Sequence, residues 1–192
     1  MSDIIKYLSE FKKKDNQTIT HILKGVGSYH LEKNDIKKLY KIISKLNKPI
    51  PILERIGPIS PLVIDIDLKY VNKYDERQYT KDYLKQLVLF INEKINMLFS
   101  NDYNDHLQVW IMEKENILPA PQNGYESKDG IHLLFPKLIS DTKNYIKLID
   151  LIYSSKDKYD DIVKNTCKNP SSNDIKEIFD ASPYKNGNWY IY

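Results

Sequence analysis

The chain has 192 residues, 41% of them apolar, with 29 basic residues against 26 acidic and a formal net charge of +3. That length suits one domain with a sizeable core, while the near balance of charge excludes a purely electrostatic coat protein and an acidic disordered tail. Six glycines and nine prolines exclude a collagenous or low-complexity chain, and a single cysteine, Cys167, excludes an internal disulfide framework and points to a reducing intracellular compartment.

Asn34 can cap a first helix with apolar positions Ile36, Leu39, Tyr40, Ile43 and Leu46. Leu62 to Leu68 has strand character. Thr80 can cap a long helix whose stripe is Leu84, Leu87, Val88, Ile91, Ile95 and Leu98. Leu107 to Met112 reads as a strand, Asn116 to Ser127 as a loop by its prolines and glycine, and Ile131 to Phe135 as a strand. Asp141 can start a helix through Tyr145, Leu148, Ile149 and Ile152, and Trp189 to Tyr192 is a final strand cut off by the chain end. The interleaving predicts an α/β or α+β sheet protein and disfavours a helical bundle. No apolar run approaches a membrane span, and the first residues lack the apolar core of a signal peptide, so Asn16-Gln17-Thr18 is a chance sequon.

The sharpest chemical feature is Pro61-Leu62-Val63-Ile64-Asp65-Ile66-Asp67. Alternate side chains of a strand share a face. Leu62, Ile64 and Ile66 therefore point into a core, and Asp65 and Asp67 project together from the other side. Two carboxylates at that spacing repel, and a hard divalent cation such as Mg²⁺ or Mn²⁺ removes the penalty. The plain alternative is a strand whose exposed face is acidic. The second feature is Lys128-Asp129-Gly130-Ile131-His132, in which Lys128, Gly130 and His132 share one face. A cation and an imidazole flanking a glycine gap are good donors to a phosphate chain, although a lone histidine is more often structural. The third is Ile178-Phe179-Asp180, where Asp180 equally serves to cap a turn ahead of Ala181-Ser182-Pro183.

Weaker fragments carry less. Gly25-Val26-Gly27 is too short for a dinucleotide or phosphate-loop fingerprint, and His21, His30 and His106 show no metal-ligand spacing. Cys167 lies in a polar stretch without a paired motif. Tyr and Lys alternate in Lys69-Tyr70-Val71-Asn72-Lys73-Tyr74 and at Tyr184-Lys185, a composition that can stack bases and meet phosphates.

Taken in order, an apolar run ending in Asp65 and Asp67, then Gly130-Ile131-His132 preceded by Lys128, then Phe179-Asp180 before an aromatic strand, the chain resembles the archaeo-eukaryotic primase superfamily. The N-terminal primase domain of the helicase-primases of large DNA viruses is the nearer match. Thr20-His21 with Gly27-Ser28-Tyr29, Trp110-Ile111-Met112-Glu113-Lys114, and Asp129 to Pro136 look like that subfamily, so the likeness runs from about Thr20 to Tyr192. It implies one primase domain over 1–192, with an RRM-like antiparallel sheet bearing the acids and packed with a second α/β unit. It also implies two divalent ions (Mg²⁺ or Mn²⁺) on Asp65, Asp67 and Asp180, and nucleotide phosphates on Lys128, Gly130 and His132. The activity implied is primase-polymerase nucleotidyl transfer on a DNA template with NTP or dNTP, in partnership with a C-terminal helicase module or other replisome protein.

Two departures stand out. The family's motif-two serine is Gly130 here, and family members continue past the last strand with a small-residue turn and a basic residue, whereas this chain stops at Tyr192. The expectation is an excised domain followed by a helicase module. The alternative is a catalytically reduced nucleotide- or nucleic-acid-binding module.

Other classes fit less well. A haloacid-dehalogenase-type phosphatase wants Thr or Val where Lys69 stands. A glycosyltransferase leaves the Lys-x-Gly-x-His strand without a role. An Asp…Glu-x-Lys nuclease needs one residue between Glu113 and Lys114, which are adjacent, and a relaxase wants a His-hydrophobic-His motif that is absent.

Overall fold

The structure, a computed structural model, describes residues 2–46, 50–99 and 108–190. Its elements run α1 (Ser2–Ser9), β1 (His21–Leu23), β2 (Gly27–Tyr29), α2 (Lys33–Ile43), β3 (Ile52–Arg55), β4 (Ile59–Tyr70), α3 (Lys81–Leu98), β5 (Trp110–Glu113) and β6 (Leu118–Gln122). They continue β7 (Tyr125–Asp141), α4 (Thr142–Tyr153), α5 (Lys156–Thr166), α6 (Ile175–Ile178), β8 (Phe179–Asp180), α7 (Ser182–Asn186) and β9 (Asn188–Tyr190). The fold is mixed α/β with antiparallel sheets, as the element order in the sequence implied. It divides into two compact units, Met1–Gly57 with Asn186–Tyr192, and Pro58–Lys185.

The first unit carries a sheet of order β2-β1-β3-β9, backed by α1 and α2. Ile4, Leu8, Leu23, Tyr29, Leu39 and Ile52 form its core. The hairpin β1–β2 turns at Gly25, whose φ of 79° is the left-handed region that favours glycine. Helix α2 begins two residues earlier than the sequence suggested. Its N-cap is Glu32, which makes no side-chain cap bond, and Asn34 sits inside the first turn.

The second unit is built on the pairing of β4 with β7, continuous in register from Leu62↔Phe135 to Tyr70↔Ser127. Strands β5 and β8 flank this pair in the order β5-β7-β4-β8, and β6 pairs with part of β7. Leu62, Ile64, Ile66 and Leu68 of β4 and Ile131, Leu133 and Phe135 of β7 are buried with Tyr83, Leu87, Ile91 and Ile95 of α3 and Tyr145, Leu148, Ile149 and Ile152 of α4. The helices thus cover one face of the sheet, and the face bearing Asp65 and Asp67 lies opposite.

Thr80 and Asp141 cap α3 and α4 as expected, accepting from Tyr83 N at 3.2 Å and Lys143 N at 2.8 Å. The Asn116–Ser127 segment is not a loop. It is a hairpin, β6 into β7, turning on Asn123 (φ 55°) and Gly124 (φ 82°). Two central residues at positive φ suit the right-handed twist of paired strands. Pro119 and Pro121 are tolerated because β6 lies off the main path of the sheet, where their missing donors cost no ladder bond on the outer side. Strand β7 is also far longer than Ile131–Phe135. Of the two truncated readings, Leu107 lies outside the described residues and so do Ile191 and Tyr192, as does His106.

His21 is fully buried in the first unit. Its Nδ1 lies 3.1 Å from Thr20 Oγ1, a hydroxyl that donates to Tyr29 O and accepts from Leu31 N. Nδ1 is therefore the protonated nitrogen, and Nε2 is buried without a partner. Burial holds the imidazole down to about 4. Because the folded value lies below the free value of 6.5, the unfolded chain binds the extra proton between pH 6.5 and 4. Stability of this unit should be complete above pH 6.5 and fall by on the order of 3 kcal/mol toward pH 4. Urea unfolding followed through Trp189 in a Trp110→Phe background measures this. A stability unchanged across that window would contradict it.

Candidate active site

Antiparallel register decides which side chains meet. Asp65 pairs with His132 on one side and with Asp180 on the other, and His132 pairs onward with Met112. One row across the sheet is therefore Met112, His132, Asp65, Asp180. Asp67 pairs with Gly130, whose carbonyl accepts from Lys114 N at 3.2 Å, so a second row is Lys114, Gly130, Asp67. Directly opposite residues share a sheet face. Asp65, His132 and Asp180, distant in sequence, are neighbours here, and Asp67 shares their face two residues along β4. Lys128 pairs with Lys69 on the same face one step further along.

Each carboxylate has a partner within the protein. Asp65 Oδ1 is 2.9 Å from His132 Nε2, with the imidazole 4% exposed. Asp67 Oδ1 is 3.7 Å from Lys114 Nζ. Asp180 accepts from Ser182 N at 2.7 Å and from the Ser182 hydroxyl, so it also closes the turn ahead of α7, the second role its sequence position allowed. Burial, reinforced by the charge of Asp65, pushes the Asp67 carboxyl above its usual range, and Lys114, Lys128 and Lys69 oppose that shift. Among the described residues no group of three or more His, Cys, Asp and Glu side chains stands close enough together to hold a metal ion. The donor set nonetheless suits a hard divalent ion: carboxylates from adjacent strands on one face, one of them disfavoured as an anion until positive charge arrives.

Position 130 is tight. A Cβ there would stand 2.6 Å from Lys114 Nζ and 2.8 Å from its Cε. The glycine in the second motif is thus the groove through which Lys114 reaches Asp67. Sequence reasoning did not place Lys114 or Lys69 beside the acids. Lys69 was legible, since Asp65, Asp67 and Lys69 alternate on one strand. Lys114 required the β5–β7 register, which no local pattern carries.

What holds Lys114 is an ionic clamp centred on the buried Asp129. Asp129, fully buried and facing the core side of β7, takes Arg77 Nε at 3.0 Å, and its Oδ1 accepts from Gly130 N at 2.8 Å. The same guanidinium donates to Glu113 Oε1 at 2.6 Å and to the Lys114 carbonyl. Glu113 Oε1 also accepts from Tyr79 Oη at 2.9 Å. Arg77 therefore ties the end of β5 to β7. Asn173 completes the exposed edge of β4 beyond the two residues of β8, donating to Asp67 O at 2.9 Å and accepting from Lys69 N at 3.0 Å. Cys167 lies outside this cluster, and burial pushes its thiol up to about 11, leaving it protonated at neutral pH.

Three acids, an imidazole and lysines thus share one face of an antiparallel sheet. Residues 18–192 match the family model described as the C962R protein N-terminal AEP domain, and the chain belongs to this family of archaeo-eukaryotic primase domains. It is also 25% identical over 186 residues to the putative helicase 184R of Invertebrate iridescent virus 6, an alignment covering 86% of this chain and 19% of that protein. No helix among the described residues is long and apolar enough to cross a membrane.

Removing Arg77 leaves the Asp129 charge buried and unpaired, so Arg77→Ala should cost about 3 kcal/mol or more in chemical denaturation. Arg77→Ala with Asp129→Asn should recover part of that loss. Equal destabilisation of the single and double variants would show that the clamp is not what stabilises the end of β5.

Proposed function

We propose that the chain is a DNA-dependent primase-polymerase domain that joins nucleotides by nucleotidyl transfer, with Asp65, Asp67 and Asp180 holding two divalent ions. The observation that carries this reading is the pairing of Asp65 with Asp180 and with His132, with Asp67 on the same face of β4 two residues along. Membership of the archaeo-eukaryotic primase family supports it. The relative described as a putative helicase supports a helicase module as partner, and the chain spans about a fifth of that protein's length.

The reaction is attack by a strand's 3′-hydroxyl oxygen on the α-phosphorus of an NTP or dNTP. A new O–P bond forms, the bond from the α-phosphorus to the bridging oxygen breaks, pyrophosphate leaves, and the hydroxyl proton passes to water. Magnesium or manganese, when bound, supplies the positive charge that neutralises the triphosphate and favours the ionised hydroxyl. The protein's own residues position and shield. His132, nearly buried and set by Asp65, presents an imidazole toward the phosphates, and Lys128 and Lys69 add positive charge one step along the strands. Lys114 bears on Asp67 across Gly130, which places a cationic donor over the position where the family pattern has a serine hydroxyl.

Asp65→Ala and Asp67→Ala should each reduce template-directed nucleotide incorporation by about 10³-fold or more, with the thermal melt nearly unchanged. His132→Ala should raise the apparent KM for nucleotide by about tenfold, the scale of one charge-assisted hydrogen bond. A primer-extension assay with Mg²⁺ or Mn²⁺ and labelled nucleotide measures both. Full activity of either aspartate variant would refute the metal assignment. No incorporation by the unaltered protein under any metal would favour a binding module without turnover.

A further inference from the structure

Charge is divided unevenly between the two units. The unit made of Met1–Gly57 and Asn186–Tyr192 holds twelve Lys and Arg against six Asp and Glu, a formal +6, whereas Pro58–Lys185 holds seventeen against twenty, a formal −3. Together these give the chain's +3. Half of that excess lies on α2, where Lys33, Lys37, Lys38 and Lys41 stand against Asp35. Lys33, Lys37 and Lys41 recur at every fourth residue along its solvent side, Lys45 continues the series just past its end, and all four are exposed. Residues four apart on a helix are neighbours, and like charges there destabilise it.

The surroundings sort these lysines from an ordinary solvated face. Lys38, off the stripe, is paired with Asp35 at 3.8 Å. Among the described residues no carboxylate lies within ion-pair distance of Lys33, Lys37, Lys41 or Lys45. Helix α5 shows the usual pattern, with Lys156, Lys158 and Lys164 set among Asp157, Asp160 and Asp161, and Lys156 bonded to Asp160. The unbalanced face belongs to α2, not to the composition of the whole chain. One aromatic ring lies in line with the stripe: Tyr40, seven residues after Lys33, is 36% exposed while its hydroxyl donates to Glu54 Oε2 at 3.1 Å. That bond fixes the ring without covering it.

We infer that the Lys33–Lys37–Lys41–Lys45 stripe of α2, with Tyr40, is a binding site for the phosphodiester backbone of single-stranded nucleic acid. A polyanion turns the like-charge repulsion along the helix into a gain, and counterion release makes the interaction salt-dependent. From Lys33 to Lys41 the helix rises about 12 Å, the length of three to four stacked nucleotides at about 3.4 Å each. A held aromatic ring among cations selects unpaired bases, which can stack, over paired ones. The choice of nucleic acid as occupant rests on the proposed polymerase reading. The stripe shares no residue with the acidic cluster on β4 and β8.

Fluorescence anisotropy of the whole chain with a labelled 20-mer, run in EDTA over a salt series, tests this independently of the metal site. Replacing Lys33, Lys37, Lys41 and Lys45 by Gln should weaken single-strand binding about tenfold or more, and the slope of log Kobs against log salt should shrink by about 3. A control that replaces Lys81, Lys85, Lys164 and Lys176 by Gln makes the same change in net charge and should keep the slope. Tyr40→Leu should lose single-strand affinity about tenfold with duplex binding unchanged, and Tyr40→Phe should retain it. Circular dichroism verifies folding, and the pair Lys33→Gln/Lys37→Gln should lose about half the slope change if the fourfold variant unfolds. Equal losses in stripe and control variants would reduce the effect to net charge and overturn the inference. So would unchanged binding in both, or a loss confined to vesicles of anionic phospholipid. Because binding is read in EDTA, a protein that binds through α2 yet incorporates no nucleotide when Mg²⁺ or Mn²⁺ is supplied would overturn the polymerase reading alone.

Discussion

The register of β4 on β7 is the constraint on which the site depends. With Asp65 opposite His132 and Asp67 opposite Gly130, the apolar residues between them fall on the helix-covered face. A slip of one residue would drive two carboxylates under α3 and α4 and expose Ile64 and Ile66. The irregularity between Pro61 and Leu62 absorbs the mismatch at the other end. There β7 runs from Phe135 to Ile139 while β4 advances by one residue, and Pro136 sits in the unpaired stretch where its missing donor costs nothing.

The same register explains how a two-residue strand can matter. Strand β8 makes only the pairs Asp65↔Asp180 and Ile66↔Phe179. Phe179, fully buried, anchors it beneath, and Tyr153 Oη donates to its carbonyl at 2.7 Å. Asp180 is then held from ahead by Ser182 and from the side by β4. The acid contributed from the far end of the chain is positioned by one buried ring and a short ladder.

Much of this arrangement could be read before any fold was known, because strand parity and capping are local. The split of Ile64 and Ile66 from Asp65 and Asp67, the shared face of Gly130 and His132, and the caps Thr80 and Asp141 all follow from alternation or from a hydroxyl or carboxylate ahead of an apolar stripe. Asn123-Gly124 was also local, a strong hairpin signal masked by the prolines beside it. The cap of α2 was misread because Asn34 is the better cap by side-chain chemistry, while the chain turns at Glu32. Lys114 and Arg77 were out of reach. Their roles come from β5 lying beside β7 and from a buried carboxylate, Asp129, that stands in sequence between two site residues but faces the other way. Resemblance to the primase family brought Asp180 into the set, and the β4–β8 pairing gives its proximity a physical basis.

The most direct measurement is a crystal structure of the protein soaked with Mn²⁺ and a non-hydrolysable nucleoside triphosphate, with the manganese located by anomalous scattering. The account predicts manganese within coordination distance of Asp65, Asp67 and Asp180, and phosphate oxygens facing His132. Manganese bound away from Asp180, or a triphosphate lying outside the β4–β7 face, would contradict it.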